Sequence, residues 1–96
     1  MFLIDVQYVM PLAEVDKALA DHVSFLKENY ERGIFVASGR KVPRTGGIIL
    51  ARKVSREELD AVIALDPFYQ RGIASYQVTE FVASMAAPEV AILREG

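Results

Sequence analysis

Ninety-six residues make one domain, small enough that the size of its core does not by itself guarantee stability. A hydrophobic share of 52% beside 25% charged residues describes a globular chain and excludes a disordered one. A net charge of −2 gives no electrostatic footprint for nucleic acid. The absence of cysteine removes disulfide and thiolate chemistry, and a single histidine cannot build a His-rich metal site.

Met1 to Asp5 lacks the basic segment and long apolar core of a secretory signal. No apolar run approaches the roughly 18 residues that a spanning helix needs. A soluble, cytoplasmic protein with no membrane or nucleic-acid partner is therefore expected. So short and apolar a chain is also expected to bury surface against a second subunit.

Phe2 to Val9 alternates with a period of two and reads as a strand. Phe2, Ile4, Val6 and Tyr8 share one face; Leu3, Asp5, Gln7 and Val9 share the other. Met10 and Pro11 break it, and Pro11 suits the first turn of a helix. From Leu12 to Arg32 the spacing becomes helical, through Leu12, Val15, Leu19, His22 or Val23, Leu26 and Tyr30. Gly33 follows where a left-handed C-cap belongs.

Ile34 to Gly39 predicts a short second strand and Ile48 to Arg52 a third. The basic loop from Arg40 to Thr45 and the pair Gly46-Gly47 join them as a hairpin. Ser55 and Glu58 have the spacing of a capping box, so a second helix starts at Ser55, with Leu59, Val62 and Ile63 on its apolar side. Pro67 ends that helix or begins a separate turn, which Gly72 closes. Ile73 to Ala83 reads as a fourth strand, with Tyr76, Val78 and Val82 toward the helices. Residues 84–96 form a tail that the pattern does not place.

The order β-α-β-β-α-β is the ferredoxin-like plan, an α+β fold with a four-stranded antiparallel sheet and two helices on one face. The other face, with Leu3, Asp5, Gln7, Val9, Ser75, Gln77, Thr79 and Phe81, is mixed in character and fits a homodimer interface.

Several residues carry a family resemblance: His22 with Phe25-Leu26, Gly33, Ser38-Gly39, Gly46-Gly47, Asp66-Pro67-Phe68, Gly72 and Tyr76. In this order and spacing they resemble the YCII-related (YciI-like) family, from about Phe2 to about Phe81. The resemblance implies a ferredoxin-like subunit that pairs into a dimeric α/β barrel, with a His–Asp pair in a cleft as the suspected active site. Carried over, the pair is His22 and Asp66, and Ser38 lies on the strand bordering the pocket. Many relatives have Pro directly after the Gly of the second strand; here Arg40 follows Gly39.

The residues admit plainer readings as well. A lone histidine on an apolar helix face is often a satisfied core residue, and an Asp before Pro is a good N-cap. Chemically, an imidazole with a reference pKa near 6.5 moves protons at neutral pH. A partner carboxylate fixes its tautomer and stabilises its charged form. One carboxylate oxygen can cap while the other meets His22. Arg40, Lys41 and Arg44 offer donors for an anion, or form a solvated loop. Gly46-Gly47 lacks the strand-to-helix context of a phosphate loop.

Three functions stay open. The first is an acid–base enzyme without cofactor or metal, of isomerase, lyase or dehalogenating type, acting on a small organic, anionic molecule. His22 and Asp66 would be catalytic, and Ser38, Arg40 and Arg44 would bind substrate. The second is a ligand-binding or accessory module, and the third a dimerisation domain. A closed pocket lined by His22 favours the first; an open groove with His22 bonded only to backbone favours the others.

Overall fold

The period-two pattern near the N-terminus gives β1 (Phe2–Tyr8), whose inward residues Phe2, Ile4 and Val6 are buried. The computed structural model describes Met1–Gly96. After Pro11, which stands one position before the helix as its N-cap, α1 runs over Leu12–Glu31. Gly33 has φ +75°, the left-handed value that the chain needs in order to leave the helix. β2 (Phe35–Arg40) and β3 (Gly46–Ala51) form the hairpin, each starting or ending within two residues of the predicted position.

α2 (Arg56–Ile63) begins with a complete capping box: the Ser55 hydroxyl accepts from Glu58 N–H while the Glu58 carboxylate accepts from Ser55 N–H. The hydrogen bond from Ser55 N–H chiefly, with the Ser55 side chain second, holds the Glu58 carboxyl below its ordinary range. A separate short helix, α3 (Pro67–Gln70), follows with Pro67 in its first turn. β4 (Ala74–Glu80) completes a four-stranded antiparallel sheet in the order β2-β3-β1-β4, the α+β, ferredoxin-like arrangement. No helix is long and apolar enough to cross a membrane.

The core lies between the sheet and the helices. Ile4 and Ile49 from the sheet meet Val15, Ala18 and Phe25 of α1, Leu59 and Val62 of α2, and Phe68 of α3. Complete burial of a side chain such as Leu59 contributes about 1.5–3 kcal/mol. The other sheet face is uncovered, as expected, and Gln7, Ser75, Gln77 and Thr79 are exposed there. Val82 departs from the expectation: β4 stops at Glu80, and Val82 is 69% exposed rather than packed beneath the helices.

Two further features lie outside the expected pattern, one on α1 and one in the tail. The buried stripe of α1 runs through Val15, Ala18, Phe25 and Asn29, with His22 in line between them. Leu19, Val23 and Tyr30 lie on the neighbouring stripe and stay partly exposed, because the apolar arc of α1 is wider than the sheet beneath it covers. The tail, which the sequence pattern leaves unplaced, forms a 3-10 segment over Pro88–Leu93 and returns to the start of β1. There Glu95 accepts from the Met1 ammonium and from Ala83 N–H. The Ala83 hydrogen bond first, and the ammonium second, hold the Glu95 carboxyl below the usual range.

Candidate active site

The corner between α2 and α3 fixes the carboxylate. Asp66 sits at the N-cap of α3 with extended backbone (φ −69°, ψ 125°), and its Oδ1 accepts from Phe68 N–H at 3.0 Å. The same Oδ1 lies 2.8 Å from His22 Nδ1, and Oδ2 accepts from the Tyr76 hydroxyl at 2.5 Å. Capping and pairing with the imidazole thus coexist on one side chain. Asp66 is wholly buried, so a carboxylate there needs such donors to offset the loss of water.

Local sequence explains why these groups converge. His22 belongs to the buried stripe of α1, and its side chain is 11% exposed. Its ring stacks on Phe68, two residues after Asp66, with centroids 3.9 Å apart and planes 4° from parallel. Tyr76 stands opposite Val6 in the β1–β4 ladder, which puts it on the helix side of the sheet. Burial chiefly, then the negative charge of Asp66 and the hydrogen bond to it, push the Tyr76 phenol well above its ordinary value. It stays a proton donor to Asp66.

Because a carboxylate only accepts, the proton between the two residues belongs on His22 Nδ1. Nε2 has no partner within the protein. His22 also lines a groove of about 260 Å³, with Phe68, Val6 and Tyr8 among the other walls and Leu19, Val23 and Leu26 along α1. A ring nitrogen free to accept a proton, backed by a buried carboxylate, is the arrangement of a general base.

β2 supplies the opposite wall. Phe35 pairs with Ala51 and Ala37 with Leu50, so Val36 is an extra residue, a β-bulge. The bulge brings Ser38 and Arg40 onto the same face as Phe35, and both line the groove. Ser38 Oγ lies 2.6 Å from the Tyr30 hydroxyl. The Arg40 guanidinium makes no hydrogen bond or ion pair and stands at the groove mouth. Arg44 lies beside the mouth but is engaged: its guanidinium donates to Asp16 at 2.7 Å and rests 6.0 Å from the centre of the Tyr8 ring. That hydrogen bond keeps Arg44 firmly protonated.

The five candidate residues therefore fall into three groups. His22 and Asp66 are in contact; Ser38 and Arg40 share the groove with His22; Arg44 is tied to the surface of α1. The residue missing from the candidate set is Tyr76. Strand alternation pointed it to the helix side, but nothing in the sequence reveals which acceptor its hydroxyl reaches. No group of three or more His, Asp or Glu side chains converges as a metal site would require.

The family model of the YCII-related domain matches residues 1–82. No curated protein matches the chain. Among solved structures, a 5-chloro-2-hydroxyhydroquinone dehydrochlorinase, TftG from Burkholderia phenoliruptrix AC1100 in complex with 2,5-dihydroxybenzoquinone, is similar with a TM-score of 0.70. The two share 17% identity over 84% of this chain and 93% of the other. At that identity the likeness bears on the fold.

Proposed function

The chain belongs to the YCII-related family, and from that premise we propose that it is an acid–base enzyme acting on a small organic molecule held in the groove. One observation carries the reading: the Nδ1 side of His22 is taken by buried Asp66, which leaves Nε2 free and His22 in the groove wall. Nε2 takes a proton from a carbon or hydroxyl of the substrate. The electron pair left behind moves into the conjugated substrate as an enolate or dienolate. In a dehydrochlorination of a chlorinated hydroquinone, His22 returns that proton to the chlorine-bearing carbon, which becomes tetrahedral; Nε2 then takes a second hydroxyl proton, and the electron pair it leaves expels chloride as the carbon–chlorine bond breaks. Asp66 stabilises the imidazolium formed on the way, and Tyr76 with Phe68 N–H holds Asp66 in place.

The similar structure, whose protein is described as a dehydrochlorinase, supports eliminations as the first reactions to try. The test is chloride release from 5-chloro-2-hydroxyhydroquinone by the wild type, His22→Gln and Asp66→Asn. In Asp66→Asn the amide oxygen still accepts from Phe68 N–H and from His22, so the fold survives while the negative charge goes. The expected result is release by the wild type and a fall of roughly 10²–10⁴-fold in each variant. Equal release by His22→Gln would contradict the role given to the imidazole.

A second reading rests on the openness of the groove, which is not the closed pocket that catalysis in a dry site would favour. A binding module would hold the same molecules at His22 and return them unchanged. Ligand recovered intact with no chloride formed would support it. In either reading we infer a homodimer joined through the uncovered sheet face, supported by half-buried Leu3, Ile48 and Leu50 on a face that no helix covers.

A further inference from the structure

Arg40 is the cation at the groove that nothing neutralises. Arg44 is paired with Asp16, and Lys41 donates to Asp5 on the other side of the sheet. No Asp or Glu lines the groove, since Asp66 lies behind the His22 ring. The groove continues past Tyr8, Leu19 and Arg40 into a second depression of about 380 Å³, walled by those three residues and Arg44, again without a carboxylate. Tyr8, Leu19 and Arg40 line both depressions and so make them continuous.

We propose that the site has two compartments and selects a monoanionic substrate: the reacting carbon lies at His22, and a carboxylate-type group lies in the outer depression on Arg40. This rests on the catalytic reading of the groove and deepens it by naming the substrate class. A guanidinium presents a fork of donors that matches a carboxylate, and an unpaired one has its donors free for the ligand. Arg44 forms the far wall of the depression, with its guanidinium already held by Asp16. The ring compartment is of matching size: an apolar cavity of roughly 150 Å³ already takes benzene, and the inner groove offers about 260 Å³.

Benzoate and benzamide, nearly equal in shape and different in charge, separate the two compartments. Each is titrated into wild type, Arg40→Gln and Arg56→Gln, with binding followed by the NMR signals of the single imidazole. Arg56 lies on α2, paired with Asp60, and controls for loss of one positive charge elsewhere. Expected are shifts of His22 with both probes and a preference for benzoate of about tenfold, the scale of one charge-assisted hydrogen bond. The preference should vanish in Arg40→Gln, persist in Arg56→Gln, and weaken with salt because Arg40 is exposed. Equal binding of the two probes at His22 would overturn the anion compartment and leave the acid–base reading standing. A benzoate preference that survives in Arg40→Gln would overturn it too, by placing the anion elsewhere. If neither probe moves His22, the ring compartment itself is refuted, and the acid–base reading of the groove falls with it.

Discussion

Tyr76 donates to the Asp66 oxygen that His22 does not use, so its removal isolates the support of the pair from the pair itself. Tyr76→Phe leaves a buried carboxylate oxygen without its donor and should cost about 1–3 kcal/mol in a denaturant melt. Its pH dependence has a definite sign. A phenol raised in the folded state contributes stability that is full below its unfolded value of 10.0 and fades as pH rises toward the folded value. The wild type should therefore lose stability above pH 10 more steeply than Tyr76→Phe. The phenolate absorbance of the folded protein in that range should be the same in both, because Tyr76 does not ionise there. A fall of one quarter in the variant, one tyrosine of four, would show that Tyr76 titrates like an exposed phenol. Sequence alone reached His22 and Asp66 because each has a chemical reason to be where it is, one on an apolar stripe and one before a proline. A tyrosine in a strand has packing reasons enough, and its acceptor lies ten residues back across a turn.

At the scale of elements, strand and helix types followed from period and caps, since Ser55, Gly33 and Gly72 each mark a place where the backbone has few choices. The bulge was not legible. Strict alternation from Phe35 would put Ala37 and Gly39 beside it and turn Ser38 and Arg40 away, and Val36-Ala37 carries no mark of an extra residue. Only the resemblance placed Ser38 by the pocket. Gly46 tells a similar story: read as the end of a loop, it opens β3, where a Cβ would fall 1.9 Å from the Val6 carbonyl oxygen. Both sides of that contact are backbone, so neither can swing aside. Gly46→Ala should destabilise by about 1–3 kcal/mol or more and displace the hairpin that carries Arg40 and Arg44. Urea melts beside the benzoate titration will check both effects. A variant as stable as wild type would show that the strands separate without cost.

For the whole molecule, the pattern of residues foretold the uncovered sheet face, because alternation along β1 and β4 separates the two sides without any knowledge of packing. The tail could not be foretold. What holds it is a set of long-range contacts, Glu95 to Met1 and Arg52 to the Ile92 carbonyl, and local periodicity carries no such information. The sheet face leads to a prediction on assembly. Light scattering at micromolar concentration should give a dimer mass for the wild type. Leu50→Glu, which sets a charge in the middle of the face, should give a monomer with unchanged circular dichroism. A wild-type monomer would remove the dimer from the account and leave the groove to be closed by a single chain.

At the centre of the proposed chemistry, Asp66 accepts a hydrogen bond from His22 Nδ1–H and so leaves a bare Nε2 for the groove. Because the chain has one histidine, a long-range proton–nitrogen correlation spectrum contains one imidazole and needs no assignment. It should be recorded across a pH series, and the tautomer read where the spectrum shows a single protonated ring nitrogen. Expected are a protonated Nδ1 and an unprotonated Nε2 in the wild type, with that preference lost in Asp66→Ala. A proton on Nε2 in the wild type would contradict it, since the nitrogen assigned to accept the substrate proton would already hold one.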